Sequence, residues 1–398
     1  MKFLKKLKRW ISFQFFHLMY LFFSIHPLKE KQVCFLSDVR QTVGGNFKYV
    51  YDQIKNQDYH IIFELKANRH IQRTIQEMIQ LAYHLALSKY IFLDDYSTII
   101  NHITLRKQQH LIQLWHGAGA FKKFGFSRAN TDEPVGKIHP GYKKYTQSIV
   151  SSEAVRWCFA EAFSISIDKV KATGVPRTDS FFDEDYMQHT TEQFYHQYPQ
   201  FKNKKIILFA PTWRGIEVSD AYYDLHQLDF DDLYQKLHHD YVFFIKWHPA
   251  IYNNIQLDKM KNIDFTKYPD FYFDFSKYRD INDLLIVCDC LITDYSSVIF
   301  DYVLLNKPII YYTYDLNQYI GNGGRGLYFD FDEYIYGPVA INYQQLVDCI
   351  RENDLMDEER KIFVKKFMSA CDGHATQKTC EWIFNNTTDV QDISKEMS

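Results

Sequence analysis

The sequence predicts an α/β protein built from two parallel-sheet domains in tandem, preceded by a basic amphipathic helix. Short apolar runs alternate with amphipathic segments, the alternation starts again in the second half of the chain, and a lysine-rich aromatic segment precedes both halves. Parallel strands need crossover connections, so alternating strand and helix patterns favour a parallel sheet covered by helices. A chain of 398 residues is long enough for two such cores.

The N-terminal segment is basic and aromatic. Residues 1–9 hold five Lys or Arg, and the sequence WISFQFFHLMYLFFSI follows at residues 10–25. This stretch is short for a bilayer span and lacks the cleavage site of a signal peptide. We expect a helix over residues 1–28 that lies in the cytoplasmic membrane interface, with Trp10, Phe15 and Phe22 in the acyl boundary. A true span and a helix packed on the protein are the alternatives.

Ten apolar runs are candidate strands, in two sets of five. The first set is 32–37, 60–65, 90–95, 111–116 and 148–152, and the second is 205–212, 241–248, 271–276, 290–294 and 308–314. A polar, periodic segment near residues 180–204 separates the sets and predicts a connecting helix and loop. We therefore place α/β domains at residues 29–190 and 191–385, with a flexible tail at 386–398.

Composition narrows the class of function. A net charge of −3 argues against a dedicated nucleic-acid binder, because such domains carry a basic excess. The seven cysteines are scattered apart from Cys288 and Cys290, and no second pair follows at zinc spacing. These features favour a reduced compartment and predict neither a disulfide framework nor a metal site.

Two predicted strands end in Trp-His, one in each half of the chain. LIQLWH ends at His116, and YVFFIKWH ends at His248. Open α/β sheets bind ligands beyond the carboxyl ends of their strands, so the two imidazoles would share one site if the sheets face a cleft. A purely structural histidine is the alternative at each position. An imidazole titrates near neutral pH, which suits it to proton transfer.

The segment CLITDYSSVIFDYVLLNKP has the form of a phosphate site. It runs from a predicted strand through Asp294, Ser296 and Ser297 into a helix that Asn306 and Pro308 should close. Serine hydroxyls and free backbone N–H groups at a helix start bind phosphate without a metal. The alternative is that the serines only cap the helix. We expect Asp294 to fix the turn before it.

Several motifs, in one order, resemble those of the CDP-glycerol glycerophosphotransferase family of teichoic-acid synthesis. They are QLWHGAGAFKKFG, GVPRTDSFF, ILFAPTWRG, KWHP, the segment 280–319 and RGLYFDF. The resemblance implies a GT-B-like fold, in which two Rossmann-like domains face a cleft, and transfer of glycerol phosphate from CDP-glycerol to an acceptor hydroxyl with release of CMP. The forms at residues 113–128 and 151–163 are more similar to priming members, which act on a lipid-linked disaccharide, than to chain-extending polymerases.

Roles follow from the resemblance and the chemistry. We expect His116 to be the base that removes the proton of the acceptor hydroxyl. Charge on the phosphoryl oxygens would be stabilised by His248, Arg214, Ser296 and Ser297. For Arg214, a structural salt bridge between the domains is the alternative.

The predicted substrate site has further members. They are Lys122, Lys123, Arg177, Asp294 and Arg325. Lys122 and Lys123 either face the acceptor's diphosphate or form a solvated turn. Arg177 and Arg325 are taken from motifs of the resemblance, and Asp179 is expected to orient Arg177.

No cofactor is expected besides CDP-glycerol as the donor substrate, because a helix start and cationic side chains can neutralise a diphosphate. The expected partners are the nucleotide-activated glycerol, a lipid-linked glycan acceptor and the membrane surface, without nucleic acid. The expected location is the cytoplasmic face of the cell membrane, as a peripheral protein. The alternatives are a CDP-ribitol-using or chain-extending transferase, a nucleotide-sugar glycosyltransferase of the same architecture, and a non-catalytic membrane-bound scaffold.

Overall fold

Two six-stranded sheets, each wholly parallel, organise the chain. The structure is a computed structural model, and it describes residues 2–69, 71–130, 138–215, 218–278, 280–320 and 326–385. The first sheet has the order β2-β1-β3-β4-β5-β6 and the second the order β12-β11-β10-β7-β8-β9. The strands are β1 (Lys29–Ser37), β2 (His60–Leu65), β3 (Ser88–Leu93), β4 (His110–Gln113), β5 (Gln147–Ile149), β6 (Val170–Lys171), β7 (Lys205–Phe209), β8 (Tyr241–Ile245), β9 (Tyr272–Asp274), β10 (Cys290–Thr293), β11 (Ile309–Tyr312) and β12 (Val339–Ala340).

Helices connect the strands, as a parallel sheet requires. The α-helices are α1 (Lys2–Phe23), α2 (Asn46–Ile54), α3 (Ile75–Leu87), α4 (Arg156–Phe163), α5 (Glu184–Gln197), α6 (Phe230–Leu237), α7 (Pro249–Gln256), α8 (Ile281–Val287), α9 (Val298–Tyr302), α10 (Leu316–Ile320), α11 (Tyr343–Glu352), α12 (Asp357–Phe367) and α13 (Ala375–Asn385). Six consecutive residues of β1 are buried, because helices cover both faces of the sheet.

All ten predicted strands occur, but most are shorter than the apolar runs that predicted them. β4 ends at Gln113, so Trp115 and His116 lie in the loop beyond it, and β8 likewise ends before His248. β6 and β12 were not predicted, because two residues are too few to show any periodicity.

The division of the chain differs from the predicted domains at two places. One unit runs to Asp179 and resumes at Ser369, and the other is Ser180–Met368, so the predicted boundary at residue 190 and the assignment of the last helix to the second domain were wrong. The physical reason is that α13 packs its residues Cys380 and Ile383 into the core of the first sheet. The segment predicted as a connector forms α5, which packs on α8. The predicted tail at 386–398 lies outside the described residues.

The N-terminal segment forms α1, which ends at Phe23 rather than at residue 28. One face of α1 packs on the first unit, where Phe16 and Tyr20 are fully buried. On the other face Trp10, Leu18 and Phe22 are 58%, 60% and 56% exposed. The alternative of a helix packed on the protein therefore holds for the face with Phe16 and Tyr20, while the opposite face is exposed. Among the helices that the structure describes, none is long and apolar enough to cross a bilayer.

Candidate active site

His116 lies in a tightly held turn beyond the carboxyl end of β4. Trp115 has a φ of 55°, in the left-handed region that bulky residues rarely adopt. Its N–H donates to Gln113 Oε1 at 2.8 Å, and its carbonyl accepts from Asn46 Nδ2 at 2.8 Å. The indole stacks on the His116 imidazole with ring centroids 4.5 Å apart. The apolar run therefore stops at His116, where the left-handed Trp115 turns the backbone and the imidazole lies beyond the carboxyl end of β4.

Carboxylates and cations set the charge of His116. Its Nδ1 lies 3.9 Å from Asp95 Oδ1, and Arg69 Nη2 lies 2.7 Å from Asp95 Oδ2. The imidazole is 56% exposed, yet the protein atoms around it still penalise its charged form. This desolvation lowers the pKa of His116; Asp95 opposes the effect, and Arg177 reinforces it. A lowered pKa keeps the imidazole neutral at pH 7 and able to accept a proton.

Sequence reasoning missed the charged network around this turn. Asp38, directly after β1, pairs with Lys66 and Arg73, each with its nitrogen 3.1 Å from Oδ1. Burial alone would raise the pKa of Asp38, but Ser97 and the two cations bring it below its usual value. Asp94, after β3, pairs with Arg40. The signal that could have found this network is that Asp38 and Lys66 directly follow two predicted strands and that Asp94 and Asp95 end a third.

His248 caps a helix through one nitrogen. It directly precedes α7, and its Nδ1 accepts the backbone N–H of Ala250 at 3.1 Å. Because Nδ1 is the acceptor, the proton of the neutral imidazole is on Nε2. The side chain is exposed, and its ring centroid lies 6.4 Å from that of Trp213. In the neutral ring Nε2 is therefore the hydrogen-bond donor of His248.

The serine turn has the predicted order of elements. Ser297 precedes α9, Ser296 Oγ accepts the N–H of Val298 at 3.4 Å, and Asn306 ends the helical segment with a φ of 51°. Ser296 is half-buried and Ser297 is exposed. α9 has only five residues, so a phosphate here would depend on hydroxyl and N–H donors more than on a helix dipole.

Arg214 pairs with two carboxylates of its own unit, so it has a structural role there, while its assignment to substrate stays a prediction. It is 6% exposed, and its Nη1 lies 2.7 Å from Asp294 Oδ2. Nε and Nη2 donate to the two carboxylate oxygens of Asp315 at 2.7 and 2.9 Å, and Nη1 also donates to Thr212 O at 2.6 Å. Four tyrosine rings lie within 5.3 Å of the guanidinium carbon. Two carboxylates of the same unit thus occupy most of its donors.

Asp294 belongs to the same network of buried polar contacts as Arg214. Its Oδ1 accepts the N–H groups of Thr212 and Tyr295, both at 2.7 Å, while Oδ2 binds Arg214. The side chain is 1% exposed, so its oxygens face protein donors. Its contact with the N–H of Tyr295 lies in the turn before α9, which it is expected to fix.

The other predicted residues have varied placements. Lys122 and Lys123 are half-buried after the Gly-Ala turn. Arg177 is close enough to His116 to lower the pKa of that imidazole. Both oxygens of Asp179 accept N–H groups at the start of α13, and its expected role in orienting Arg177 stays a prediction. Arg325 lies outside the described residues.

The structure thus brings His116 and Arg177 together in the first unit. In the second unit, the ring of His248 lies near that of Trp213, which directly precedes Arg214. The prediction that His116 and His248 act on one diphosphate stays a prediction. Within the residues described, no group of three or more His, Cys, Asp or Glu is arranged to hold a metal ion.

Comparisons with known proteins agree with the fold. A family model described as CDP-glycerol:poly(glycerophosphate) glycerophosphotransferase matches residues 18–385. Among solved structures, the wall teichoic acid polymerase TagF superposes with a TM-score of 0.76 at 23% identity, covering 99% of this chain and 97% of that one. At this identity the likeness shows a shared fold.

Curated relatives are similar over most of the chain. The chain is 41% identical over 377 residues to the teichoic acid poly(ribitol-phosphate) polymerase of Bacillus spizizenii, covering 94% of this chain but 60% of the relative. It is 33% identical over 380 residues to the teichoic acid ribitol-phosphate primase of the same organism, covering 92% and 94%. It is also 33% identical over 317 residues to the teichoic acid glycerol-phosphate primase of Bacillus subtilis, covering 77% and 76%.

Proposed function

Because the chain belongs to the CDP-glycerol:poly(glycerophosphate) glycerophosphotransferase family, we propose that it transfers a polyol phosphate from a CDP-polyol to an acceptor hydroxyl in teichoic-acid synthesis. The observation that carries the mechanism is the His116 turn, where an imidazole with a lowered pKa stands beside Asp95 and Arg177. A neutral imidazole can take the proton of an attacking hydroxyl.

The proposed reaction is a single displacement at phosphorus. The acceptor oxygen forms a bond to the phosphorus that carries the polyol, the bond from that phosphorus to the CMP oxygen breaks, and CMP leaves with the electron pair. His116 takes the acceptor proton. His248 Nε2–H, Ser296 and Ser297 are proposed to stabilise the phosphoryl oxygens, which gain charge as the bond to CMP breaks.

Ribitol phosphate is the polyol phosphate that we propose first. Two of the relatives described above, at 41% and 33% identity, are named for ribitol phosphate. CDP-glycerol, which the sequence motifs favoured, is the second candidate because the glycerol-phosphate primase is also 33% identical. We propose that the chain acts as a priming enzyme, because the sequences at residues 113–128 and 151–163 are more similar to priming members than to chain-extending polymerases.

A donor and acceptor screen tests the proposal. Purified protein is incubated with CDP-ribitol, CDP-glycerol or UDP-sugars and a lipid-linked disaccharide bearing glycerol phosphate, and release of CMP or UDP is followed. We expect CMP release from CDP-ribitol with addition of a single unit, and loss of turnover in His116→Ala. UDP release alone would indicate a glycosyltransferase, a ladder of products would indicate a polymerase, and full activity of His116→Ala would remove the proposed base.

We also propose that α1 holds the protein on the cytoplasmic face of the membrane, near a lipid-linked acceptor. Its exposed face carries large apolar side chains, and such a face enters the boundary between head groups and acyl chains. Replacing Trp10, Leu18 and Phe22 together by Ser should weaken sedimentation with phosphatidylglycerol vesicles by at least about tenfold, because each loses apolar area buried in lipid.

Substitution is a cleaner test than deletion of α1, because deletion would also uncover the core around Phe16 and Tyr20. A control variant replaces exposed apolar residues elsewhere, Ile167, Leu257 and Ile362, by Ser. We expect this control to sediment like the parent protein. Equal sedimentation of both variants would contradict the proposed anchor.

A further inference from the structure

Asn46 connects two segments of the candidate site that are far apart in sequence. It is the first residue of α2 and is 2% exposed. Its Nδ2 donates to the carbonyl oxygens of Leu114 at 3.1 Å and Trp115 at 2.8 Å. Its Oδ1 accepts the backbone N–H of Arg177 at 3.0 Å. One buried amide therefore binds both the turn that presents His116 and the loop that presents Arg177.

The turn needs such a contact because its backbone is strained. Trp115 is in the left-handed region, where its Cβ crowds the backbone, and such a residue persists only when its surroundings hold it. Gln113 holds the N–H side of Trp115, and Gln113 Nε2 also donates to Asp95 O at 3.4 Å. Asn46 holds the carbonyl side. The backbone direction at His116 thus depends on two buried amides.

The amide of Asn46 has a chemistry that close replacements lack. An aspartate has the same shape but no donor for the carbonyls of Leu114 and Trp115, and its charge would repel both oxygens. A serine is too short to bind both segments. The preceding Gly45 adopts a φ of 53° and a ψ of −142°, a conformation that L side chains rarely adopt, so this entry into α2 favours glycine.

We propose that Asn46 is a positioning residue for catalysis, which fixes the direction of the His116 imidazole and its separation from Arg177. This inference rests on the proposed function, because His116 is a base only if the transfer occurs. Groups that hold a base in reacting geometry affect turnover more than substrate binding, and a misplacement of about 1 Å can cost about 100-fold in rate.

The test compares Asn46→Asp with a matched control in the same unit. Gln109 is 3% exposed, and its Nε2 donates to Leu85 O at 2.6 Å and Ser88 O at 2.8 Å, at the opposite end of β4 from His116. Gln109→Glu therefore makes the same chemical change away from the site. We expect Asn46→Asp to lower kcat about 100-fold while KM stays within about threefold of the parent value. Gln109→Glu should keep kcat within about threefold of the parent value, at a Tm similar to that of Asn46→Asp.

Amide hydrogen exchange provides a measurement that does not depend on turnover. Exchange over residues 114–117 should be at least about tenfold faster in Asn46→Asp, and in Asn46→Ser exchange over residues 174–178 should also rise. Asn46→Ser replaces Asn46→Asp in the kinetics if the latter does not fold. Unchanged exchange in both variants, or equal loss of kcat in Gln109→Glu, overturns the proposal. If exchange changes in the variants but the parent protein has no activity on any CDP-polyol, the proposed function and the catalytic role are both rejected. Asn46 is then a structural residue.

Discussion

Replacing Arg214 by Met should destabilise the second unit strongly, because it leaves two carboxylates without their cation. Asp294 is 1% exposed and Asp315 is 13% exposed, so water cannot take the place of the guanidinium at the first and does so only partly at the second. Removing one partner of a buried ion pair costs about 3–5 kcal/mol. We take about 4 kcal/mol for Arg214→Met, since Tyr295 Oη still donates to Asp315 at 3.0 Å.

Scanning calorimetry on the full chain measures this loss. For a domain of 150–250 residues, each kcal/mol lowers Tm by about 2–4 °C, so the transition of the second unit should fall by about 8–16 °C. Arg360→Met is the control, because Arg360 is 5% exposed in the same unit but donates to carbonyl oxygens such as Lys307 O at 2.6 Å. Its loss should be about 1–3 kcal/mol, the cost of unsatisfied carbonyls.

A third variant tests the cause of the loss. Arg214→Met combined with Asp294→Asn and Asp315→Asn keeps the carbonyl acceptor that binds the N–H groups of Thr212 and Tyr295 but buries no charge. It should recover at least half of the lost Tm, since a neutral replacement of a buried ion pair is often nearly neutral in stability. No recovery, or a single variant that melts within about 2 °C of the parent, would refute the reasoning.

Three further predictions follow from the two histidines and from the cap of α13. The acid limb of the pH profile of kcat/KM should lie below pH 6.5, because the pKa of His116 is lowered. Asp95→Asn removes a charge that raises this pKa and should move the limb to lower pH, whereas Arg177→Gln should move it to higher pH. Shifts of both variants in the same direction would contradict the assignment of the limb to His116. His248→Asn keeps an acceptor for the helix cap and removes the Nε2 donor, so kcat/KM should fall about 100-fold without a change in Tm; a lower Tm with unchanged kinetics would show a cap only. Asp179→Ala should cost about 1 kcal/mol in urea unfolding, with most of it restored by Asp179→Asn, and no loss would mean that α13 does not need this cap.

The sheets could be predicted because their signal is local. The run at residues 60–65 became β2 with the same bounds, and the other nine predicted strands occur within the apolar runs or overlap them closely. Side chains of a buried parallel strand are apolar on both faces, so the pattern needs no knowledge of the neighbours. The carboxyl ends of these strands then gave the positions of His116 and His248.

The rest of the site could not be predicted, because it depends on contacts between distant segments. Asn46 lies 69 residues from Trp115, and Arg214 lies 101 residues from Asp315. Each pair meets only after parallel strands have aligned their ends, and neither asparagine nor arginine has a periodic signature. The packing of α13 on the first unit could not be predicted for the same reason. Its apolar face could cover either sheet, and the contact with the distant Asp179, which caps it, cannot be seen in the local sequence.

The two histidines differ in the nitrogen that the protein uses, and this difference supports the division of roles. His248 Nδ1 accepts a backbone N–H, so Nε2 carries the proton and can only donate while the ring is neutral. His116 Nδ1 faces the Asp95 carboxylate at 3.9 Å, and attraction to that charge favours the proton on Nδ1 and the lone pair on Nε2. A base needs a lone pair, and a group that stabilises phosphoryl oxygens needs a proton. Exchanging the roles would require His116 to turn its proton away from Asp95 and His248 to release Ala250, so the proposed assignment is the one that both local environments favour.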